Sequence, residues 1–199
     1  MDILHPYYSL KDFPNLNLGC PNLCKNFLCV DIHPRNPFVV KCEAIKFLKY
    51  TYLKNHKFEK IRAFNLLEHL KNPRLFILLC YLNLKDNGIL ELKTDNAWNP
   101  IHYIKNPLHI LSGSHTDEKY HYVLTKAKHT KHYYIFTKLH LKNLLHPYFN
   151  IKEMKYTTFF SRIYVLAVKN YNLKLEAKRK LELKQKGEVN SDTFSEILL

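Results

Sequence analysis

The segment NLNLGCPNLCKNFLCVDIHP, residues 15–34, decides the fold that we expect for this chain. It contains an apolar run, a turn with one glycine, and a second apolar run that ends at an aspartate. Two short buried strands joined by a glycine turn are typical of the beginning of a nucleotide-binding α/β fold. Pro21 stands where such a turn usually has its second glycine, and proline removes one backbone N–H donor and fixes φ.

The rest of the chain alternates apolar, strand-like runs with helix-like stretches. This pattern predicts an α/β protein with a Rossmann-like, mostly parallel sheet, helices on both faces of the sheet, and a C-terminal antiparallel hairpin. We expect strands near residues 16–18, 27–31, 38–42, 60–64 and 89–94, with the Asn87-Gly88 pair as the turn before the last of these. We expect helices over 43–54, over 67–84 with a kink at Pro73, and from Thr137 to about His146, followed by hairpin strands at 149–157 and 162–169.

The composition indicates one globular domain in the cytoplasm. The 199 residues are 46% hydrophobic, and the N-terminus lacks a basic stretch followed by an apolar one. No apolar run approaches the ~20 residues that a membrane-spanning helix needs, so we expect no membrane insertion. We expect a single domain over residues 1–170 with an acceptor or lid insertion near 95–136, and a charged helix with a frayed end over 171–199.

Four of the five cysteines lie close together in the sequence, which raises the alternative of a zinc site. The cysteines are Cys20, Cys24, Cys29, Cys42 and Cys80, and His33 lies among the first four. The spacing Cys-x3-Cys-x4-Cys-x3-His has no Cys-x2-Cys pair, and Cys29 lies in an apolar run, where a thiol packs as a small hydrophobe. We therefore predict buried, reduced thiols and no metal ion.

Polar residues or a glycine follow each of the first three predicted strands. Gly19 follows the first strand, Asp31 ends the second, and Glu43 with Ala44 follows the third. In an open parallel sheet, ligands bind beyond the carboxyl ends of the strands, and a carboxylate after the second strand can accept both hydroxyls of a ribose. A lone aspartate is more often a turn or cap residue, but three such points at neighbouring strand ends favour a nucleoside site.

Further motifs follow one another in order along residues 15–169. They are LNLGCPN with VDIHP, VVKCEAIKFL, FEKIRAFNLLEHLKNP and YLNLKDNGILELKTDN, followed by HYYIFTKLHLKNLLHPYFNIKEMKY. Together they resemble the class I S-adenosylmethionine-dependent methyltransferases, and the type 11 group in particular. That group tends to read LNLGCG at the first turn and LKPGGIL before the fifth strand, where this chain has Pro21 and the residues LKDNG.

The resemblance implies S-adenosylmethionine as the cofactor and a role for each matching residue. Gly19 and Cys20 would line the cofactor through their backbone, and Asp31 would accept the ribose hydroxyls. Glu43 and Ala44 would lie beside the adenine. Asn65 and Leu66 would close the pocket after the fourth strand. Glu68 and His69 would open the helix behind the pocket, where capping and packing can be their whole role.

The methyl acceptor is expected to lie against the irregular region and the segment after it. Between Lys119 and Lys155 there are eight lysines, one acid, and several histidines and aromatic residues, in a chain of net charge +14. This composition suits a nucleic acid, whose phosphates attract cations and whose bases stack on rings, although a solvated lysine-rich face is the alternative. His129 and His132 are candidate catalytic residues, because an imidazole can orient or deprotonate a hydroxyl acceptor, and surface histidines without such a role are the alternative.

The function that we predict is transfer of a methyl group from S-adenosylmethionine to an acceptor of polyanionic or sugar-like chemistry. The chain has neither an Asn/Asp-Pro-Pro-Tyr motif nor a Pro-Cys pair after the fourth strand, which disfavours the usual base-methylating DNA enzymes. The alternative is a protein that keeps the fold, has lost catalysis and binds a nucleic acid. Pro21 and the glycine-poor loops keep this alternative open, and the sequence carries no signal for an oligomeric state.

Overall fold

The computed structural model describes residues 9–97, 99, 115–116, 123–124, 133–157 and 159–170. Its helices are α1 (Ala44–Leu53), α2 (Pro73–Asn83) and α3 (Lys138–Leu145), with short 3-10 turns at Leu10–Asp12 and Leu67–His69. Its strands are β1 (Asn15–Leu18), β2 (Leu28–Asp31), β3 (Val40–Lys41), β4 (Phe58–Phe64), β5 (Leu84–Asp95), β6 (His115–Thr116), β7 (Val123–Leu124), β8 (Tyr134–Ile135), β9 (Phe149–Thr157) and β10 (Arg162–Lys169). These elements belong to one compact unit, Met1–Lys169, and the predicted helix over 171–199 lies outside the described residues.

Seven strands form one mixed sheet in the order β3-β2-β1-β4-β5-β10-β9. Strands β1 to β5 are parallel to one another, and β10 runs antiparallel to both β5 and β9. The order reverses between β1 and β4, and ligand sites of such sheets lie at this switch point. The predicted α/β fold is confirmed, with its mostly parallel sheet and its closing hairpin. Helices were expected on both faces of the sheet, but the three described helices all belong to one core. Strands β6, β7 and β8 form a separate antiparallel sheet in the region predicted to be the insertion.

The hydrophobic core lies on one face of the large sheet. Alternate residues of the central strands point to this face, and register partners form apolar rows across it. One such row consists of Leu18, Ala63, Leu92 and Val165, each at most 1% exposed. Helix α2 contacts both α1 and α3, and the buried residues of all three helices belong to the same core. Within the described part of the chain, no helix is both long and apolar enough to cross a membrane.

The opposite face of the sheet carries polar side chains. Arg62 and Glu91 are register partners whose Nε and Oε2 atoms lie 2.9 Å apart, and Lys60 Nζ lies 2.8 Å from the same oxygen. The Tyr164 hydroxyl donates to Glu91 Oε1 at 2.9 Å. Burial alone would raise the pKa of Glu91, but the hydrogen bonds from Lys60, Arg62 and Tyr164 lower it below its usual value. An ion-pair network therefore joins β4, β5 and β10 on this face.

The predicted helix over 67–84 is wrong at its start. The structure has a separate 3-10 turn at Leu67–His69, and α2 begins only at Pro73. Asn72 caps α2, since its Oδ1 accepts a hydrogen bond from Leu75 N at 2.9 Å. A proline at the first helical position costs no hydrogen bond, because the N–H of that position has no partner within the helix. The proline ring also keeps the preceding residue out of the helical conformation, and Asn72 accordingly has a φ of −132° and a ψ of 83°.

The other predicted elements agree with the structure, apart from the ends of two strands. The third strand is only Val40–Lys41, shorter than the expected 38–42. The Asn87-Gly88 pair lies within β5, where the register with β4 shifts and Asn87 takes the left-handed conformation with φ of 61°. The predicted cap at Thr137 is confirmed, because its hydroxyl accepts from His140 N at 3.2 Å at the start of α3.

Candidate functional site

A cavity of about 440 Å³ opens at the carboxyl ends of β1 to β4, beside the switch point of the sheet. Its volume lies within the ~300–1,000 Å³ that is typical of small-molecule sites. Five of the predicted cofactor contacts line it, namely Gly19, Asp31, Glu43, Ala44 and Leu66. The remaining lining residues are Val30, Ile32, Cys42, Ile45, His69, Leu70, Lys71, Asn72 and Tyr133. The fold thus brings residues from four strand ends to one concave surface.

Gly19 takes a backbone conformation that residues with a side chain rarely adopt. Its φ is +70°, and a Cβ added at this position would lie 3.2 Å from the Cβ of Leu66 across the cavity wall. The N–H groups of Gly19 and Cys20 both donate to the carbonyl of Val30, at 2.8 and 3.3 Å. The resemblance implied that Gly19 and Cys20 line the cofactor through their backbone. Because these two donors are already bonded to β2, a ligand would meet Gly19 at its Cα and carbonyl instead.

Asp31 places a carboxylate at the end of β2. Its Oδ1 accepts a hydrogen bond from His33 N at 2.7 Å, which fixes the carboxylate in a short turn. An ionised carboxylate has about four acceptor sites, so this bond leaves capacity for the hydroxyl groups of a ligand. Ile32 follows Asp31, lines the cavity and is 56% exposed. The end of β2 therefore offers a hydrogen-bond acceptor beside an apolar surface that a flat ring can cover.

Glu43 places a second carboxylate on the cavity, at the N-terminus of α1. It is the N-cap residue of this helix, and its side chain makes no capping hydrogen bond. A negative charge is favourable at this end of a helix because of the helix dipole. Burial raises the pKa of the neighbouring Cys42 thiol, so that this cavity-lining group is neutral at neutral pH. The Cys42 thiol therefore adds no negative charge to this wall.

The chain turns sharply after β4, and this turn decides which residues reach the cavity. Asn65 has a φ of 52°, and its N–H donates to the carbonyl of Lys93 at 2.7 Å. Leu66 and His69 line the cavity, whereas Asn65 does not. Of the two residues predicted to contact the cofactor here, Leu66 therefore lies at the cavity and Asn65 does not.

Glu68 is a buried carboxyl group between the cavity-lining residues Leu66 and His69. It is 1% exposed, and the hydroxyl of Thr94 donates to its Oε2 at 2.8 Å. Burial raises the pKa of Glu68 to about 7, and the hydrogen bond from Thr94 offsets only part of this effect. Burial therefore favours the protonated, neutral form of this carboxyl group far more than it does for an exposed glutamate. The sequence indicated only a capping and packing role for this residue.

The segment before α3 reaches the cavity at Tyr133. Tyr133 lines the cavity, and its N–H donates to the carbonyl of Glu68 at 2.8 Å. The neighbouring Tyr134 hydroxyl donates to the carbonyl of Lys71 at 2.8 Å. These two bonds hold the end of the predicted insertion against the turn that follows β4. Tyr133 is therefore placed to contact whatever occupies the cavity.

Some predicted site residues lie elsewhere. Cys20 does not line the cavity, and its Sγ lies 3.3 Å from the Sγ of Cys24. His129 and His132 lie outside the described residues. Sequence reasoning did not assign Ile32 or Tyr133 to the site. An exposed apolar residue directly after an acidic strand end was a usable signal for Ile32, whereas the place of Tyr133 depends on the path of a long connection.

Solved structures of methyltransferases share this arrangement of strands and helices. The 1,6-didemethyltoxoflavin-N1-methyltransferase of Burkholderia thailandensis, with bound 1,6-didemethyltoxoflavin and S-adenosylhomocysteine, is 13% identical, with a TM-score of 0.53 over 78% of this chain and 70% of that chain. An S-adenosylmethionine-dependent methyltransferase from Archaeoglobus fulgidus is 16% identical, with a TM-score of 0.50 over 78% of this chain and 85% of that chain. This is the fold of class I methyltransferases. At these identities the likeness concerns the fold alone, and no family model and no curated protein matches the chain.

Proposed function

We propose that this protein binds S-adenosylmethionine in the cavity and transfers its methyl group to an acceptor. The observation that carries the proposal is the convergence of Gly19, Asp31 and Glu43, together with Leu66, on one cavity at the switch point of a methyltransferase-type sheet. A ligand of this kind is also bound by the Burkholderia enzyme of the same fold, as S-adenosylhomocysteine. When bound, the cofactor supplies a methyl group that its sulfonium has already activated.

The cavity residues fit the parts of this cofactor. Asp31 would accept hydrogen bonds from the ribose hydroxyls, since its carboxylate retains acceptor capacity beside the bond to His33. Ile32 and Ala44 would pack against the adenine ring, and Glu43 would accept from its amino group. Gly19 has no Cβ, so Leu66 can pack close to it and no side chain at this position takes up space in the cavity. The protein contributes mainly by aligning the two reactants, which can supply ~7–11 kcal/mol of the barrier.

The acceptor side is proposed to be the segment between Lys119 and Lys155, with His129 and His132 as the groups that orient or deprotonate the acceptor. In the described part of this segment, Lys142, Lys152 and Lys155 are exposed, which supports an acceptor with negative charge or a nucleic acid. His140 has a structural part in this segment, because its Nδ1 accepts from Thr137 N at 3.3 Å in the cap of α3.

A binding protein without catalysis is the second candidate function, and one observation favours it. The N–H groups of Gly19 and Cys20 donate to Val30, and Pro21 has none, so this turn offers a ligand fewer donors than a glycine-rich turn does. One lost hydrogen bond costs about 1 kcal/mol, against about 8 kcal/mol for micromolar binding. The loss weakens a cofactor site without abolishing it.

Calorimetry with S-adenosylmethionine and S-adenosylhomocysteine tests the proposal. We expect a dissociation constant in the micromolar to submillimolar range. Asp31→Ala should weaken binding about ten-fold or more, because a charge-assisted hydrogen bond is worth ~1.5–3 kcal/mol. Asp12→Ala is the matched control, because Asp12 is an exposed carboxylate that does not line the cavity, and it should bind as the wild type does. Wild-type protein that gives no heat with either compound would leave the second candidate function standing.

Transfer of labelled methyl groups to pools of RNA, DNA, glycans and small molecules then tests the catalytic part. Once an acceptor is found, His132→Ala should lower turnover about 10²-fold while cofactor affinity stays the same, as general-base catalysis contributes about this much. Wild-type turnover in that variant would remove His132 from the catalytic assignment.

A further inference from the structure

Three cysteine thiols meet beside the first turn of the sheet. The Sγ atoms of Cys20, Cys24 and Cys29 all lie within 4.8 Å of one another, and those of Cys20 and Cys24 are 3.3 Å apart. Cys29 is buried in β2, whereas Cys20 and Cys24 are half-buried in the loop that leads to it. The spacing in the sequence argued against a metal site because the chain has no Cys-x2-Cys pair. The path of the loop brings the thiols together without one.

This loop is short for the connection that it makes. Nine residues, 19–27, join the parallel strands β1 and β2, and they contain no helix. Parallel neighbours usually need a crossover of about a dozen residues or more, most often with a helix that packs on the sheet. Here Leu23 is 51% exposed, and Asn26 takes a left-handed conformation with φ of 66°. The loop therefore lacks the apolar packing that normally fixes such a connection.

The thiol cluster has the dimensions and the surroundings of a metal site. With metal–sulfur bonds of ~2.3 Å, tetrahedral zinc separates two thiolates by about 3.8 Å, so the sulfur atoms need to move by about 1 Å or less. Two N–H groups already point at the sulfurs. Asn17 Nδ2 donates to Cys24 Sγ at 3.2 Å, and the backbone N–H of Cys24 donates to Cys29 Sγ at 3.2 Å. Hydrogen bonds of this kind orient metal ligands and offset the charge of thiolates.

We propose that Cys20, Cys24 and Cys29 bind one soft metal ion, Zn²⁺ or Cu⁺, which cross-links the connection between β1 and β2 to the sheet. Thiolates are the ligands that select these two ions. Each thiol releases its proton to solvent when its sulfur coordinates the metal, and no electron is transferred. Zinc would complete its tetrahedron with a water molecule on the side where Cys20 and Cys24 are half-exposed, whereas Cu⁺ would be satisfied by the three sulfurs.

Metal titration of the full-length, reduced protein tests this proposal without any cofactor or acceptor. The protein is stripped with a chelator under reducing, oxygen-free conditions and then titrated with Zn²⁺ or Cu⁺ against a chromophoric competitor for each ion. We expect one equivalent of Zn²⁺ or of Cu⁺ to bind per chain. Co²⁺ used as a probe of the zinc site should show thiolate-to-metal charge-transfer absorption.

Serine variants assign the ligands. Cys24→Ser and Cys29→Ser should each weaken binding ~10²-fold or more, since a structural zinc site spreads its affinity over only a few ligands. Cys42→Ser is the control for metal binding, because Cys42 has a half-buried thiol that is not part of the cluster. Circular dichroism checks the folding of each variant, and Cys20→Ser in the half-exposed loop provides a third, independent ligand test if Cys29→Ser does not fold.

Two results would overturn the proposal. The first is that folded wild-type protein binds neither Zn²⁺ nor Cu⁺ at one equivalent, which would leave the cluster as packed thiols. The second is binding that survives Cys24→Ser and Cys20→Ser unchanged. Neither of these results depends on whether the cavity binds S-adenosylmethionine.

Discussion

Glu68→Gln tests whether a carboxyl group buried in the turn after β4 weakens the fold as the pH rises. The pKa of Glu68 is raised from 4.5 to about 7, chiefly by burial. Between these two values the folded protein holds a proton that the unfolded chain has released. Raising the pH through this range therefore favours unfolding, and the stability of the wild-type protein is greatest below the unfolded value. Glutamine has the same shape, carries no charge, and keeps an oxygen that can accept the hydrogen bond from Thr94.

The size of the effect follows from the two pKa values. One pKa unit corresponds to about 1.4 kcal/mol, so the difference between 4.5 and about 7 corresponds to about 3 kcal/mol of unfolding free energy. We expect Glu68→Gln and the wild type to be equally stable at about pH 4, and the variant to be more stable by about 3 kcal/mol at about pH 8. For a chain of this size that difference raises the melting temperature by about 6–12 °C.

Urea denaturation followed by circular dichroism at several pH values measures this difference. Glu59→Gln is the matched control, because Glu59 is exposed and forms only a surface ion pair with Lys85. Its effect should stay within about 1 kcal/mol at all pH values. A stability difference between Glu68→Gln and the wild type that does not change with pH would show that the carboxyl group is ionised or solvated in the folded protein. A variant less stable than the wild type at high pH would show that the carboxylate makes a stabilising contact, for which the nearby Arg162 is the candidate.

Substitutions at two further positions probe the turn after β1 and the start of α2. Gly19→Ala should lower the unfolding free energy by about 1–3 kcal/mol and weaken binding of S-adenosylhomocysteine, because alanine is strained at φ of +70° and its Cβ would lie 3.2 Å from Leu66. Urea denaturation and calorimetry measure the two effects. If the variant has wild-type stability and affinity, the turn relaxes freely around the added methyl group. Asn72→Ala should lower the unfolding free energy by about 1 kcal/mol, because the hydrogen bond from Leu75 N is lost, and Asn72→Asp should retain most of the wild-type stability. Thermal unfolding measures both variants. Equal destabilisation by both would show that the helix cap is not the cause of the loss in stability.

The sequence by itself determined the order of the strands in the chain and the carboxyl ends of β1, β2 and β4. Short apolar runs separated by turn residues predicted β1 and β2, and β9 and β10 were predicted as the two strands of a closing hairpin. The cap at Thr137 was also readable, since a hydroxyl that accepts from the third backbone N–H is a local interaction. These signals act over a few residues. They place Gly19, Asp31 and Glu43 at strand ends whatever the distant parts of the chain do.

Only the tertiary structure decided what those local elements bring together. Cys20, Cys24 and Cys29 meet because the loop folds back on β2, and no spacing rule in the sequence predicts that path. The raised pKa of Glu68 depends on its burial beside Thr94, which lies on a strand 26 residues further along the chain. Tyr133 reaches the cavity through a hydrogen bond to the carbonyl of Glu68, across a connection too long for local rules. Contacts between distant segments depend on the course of the whole chain, whereas strand ends and caps depend on neighbouring residues.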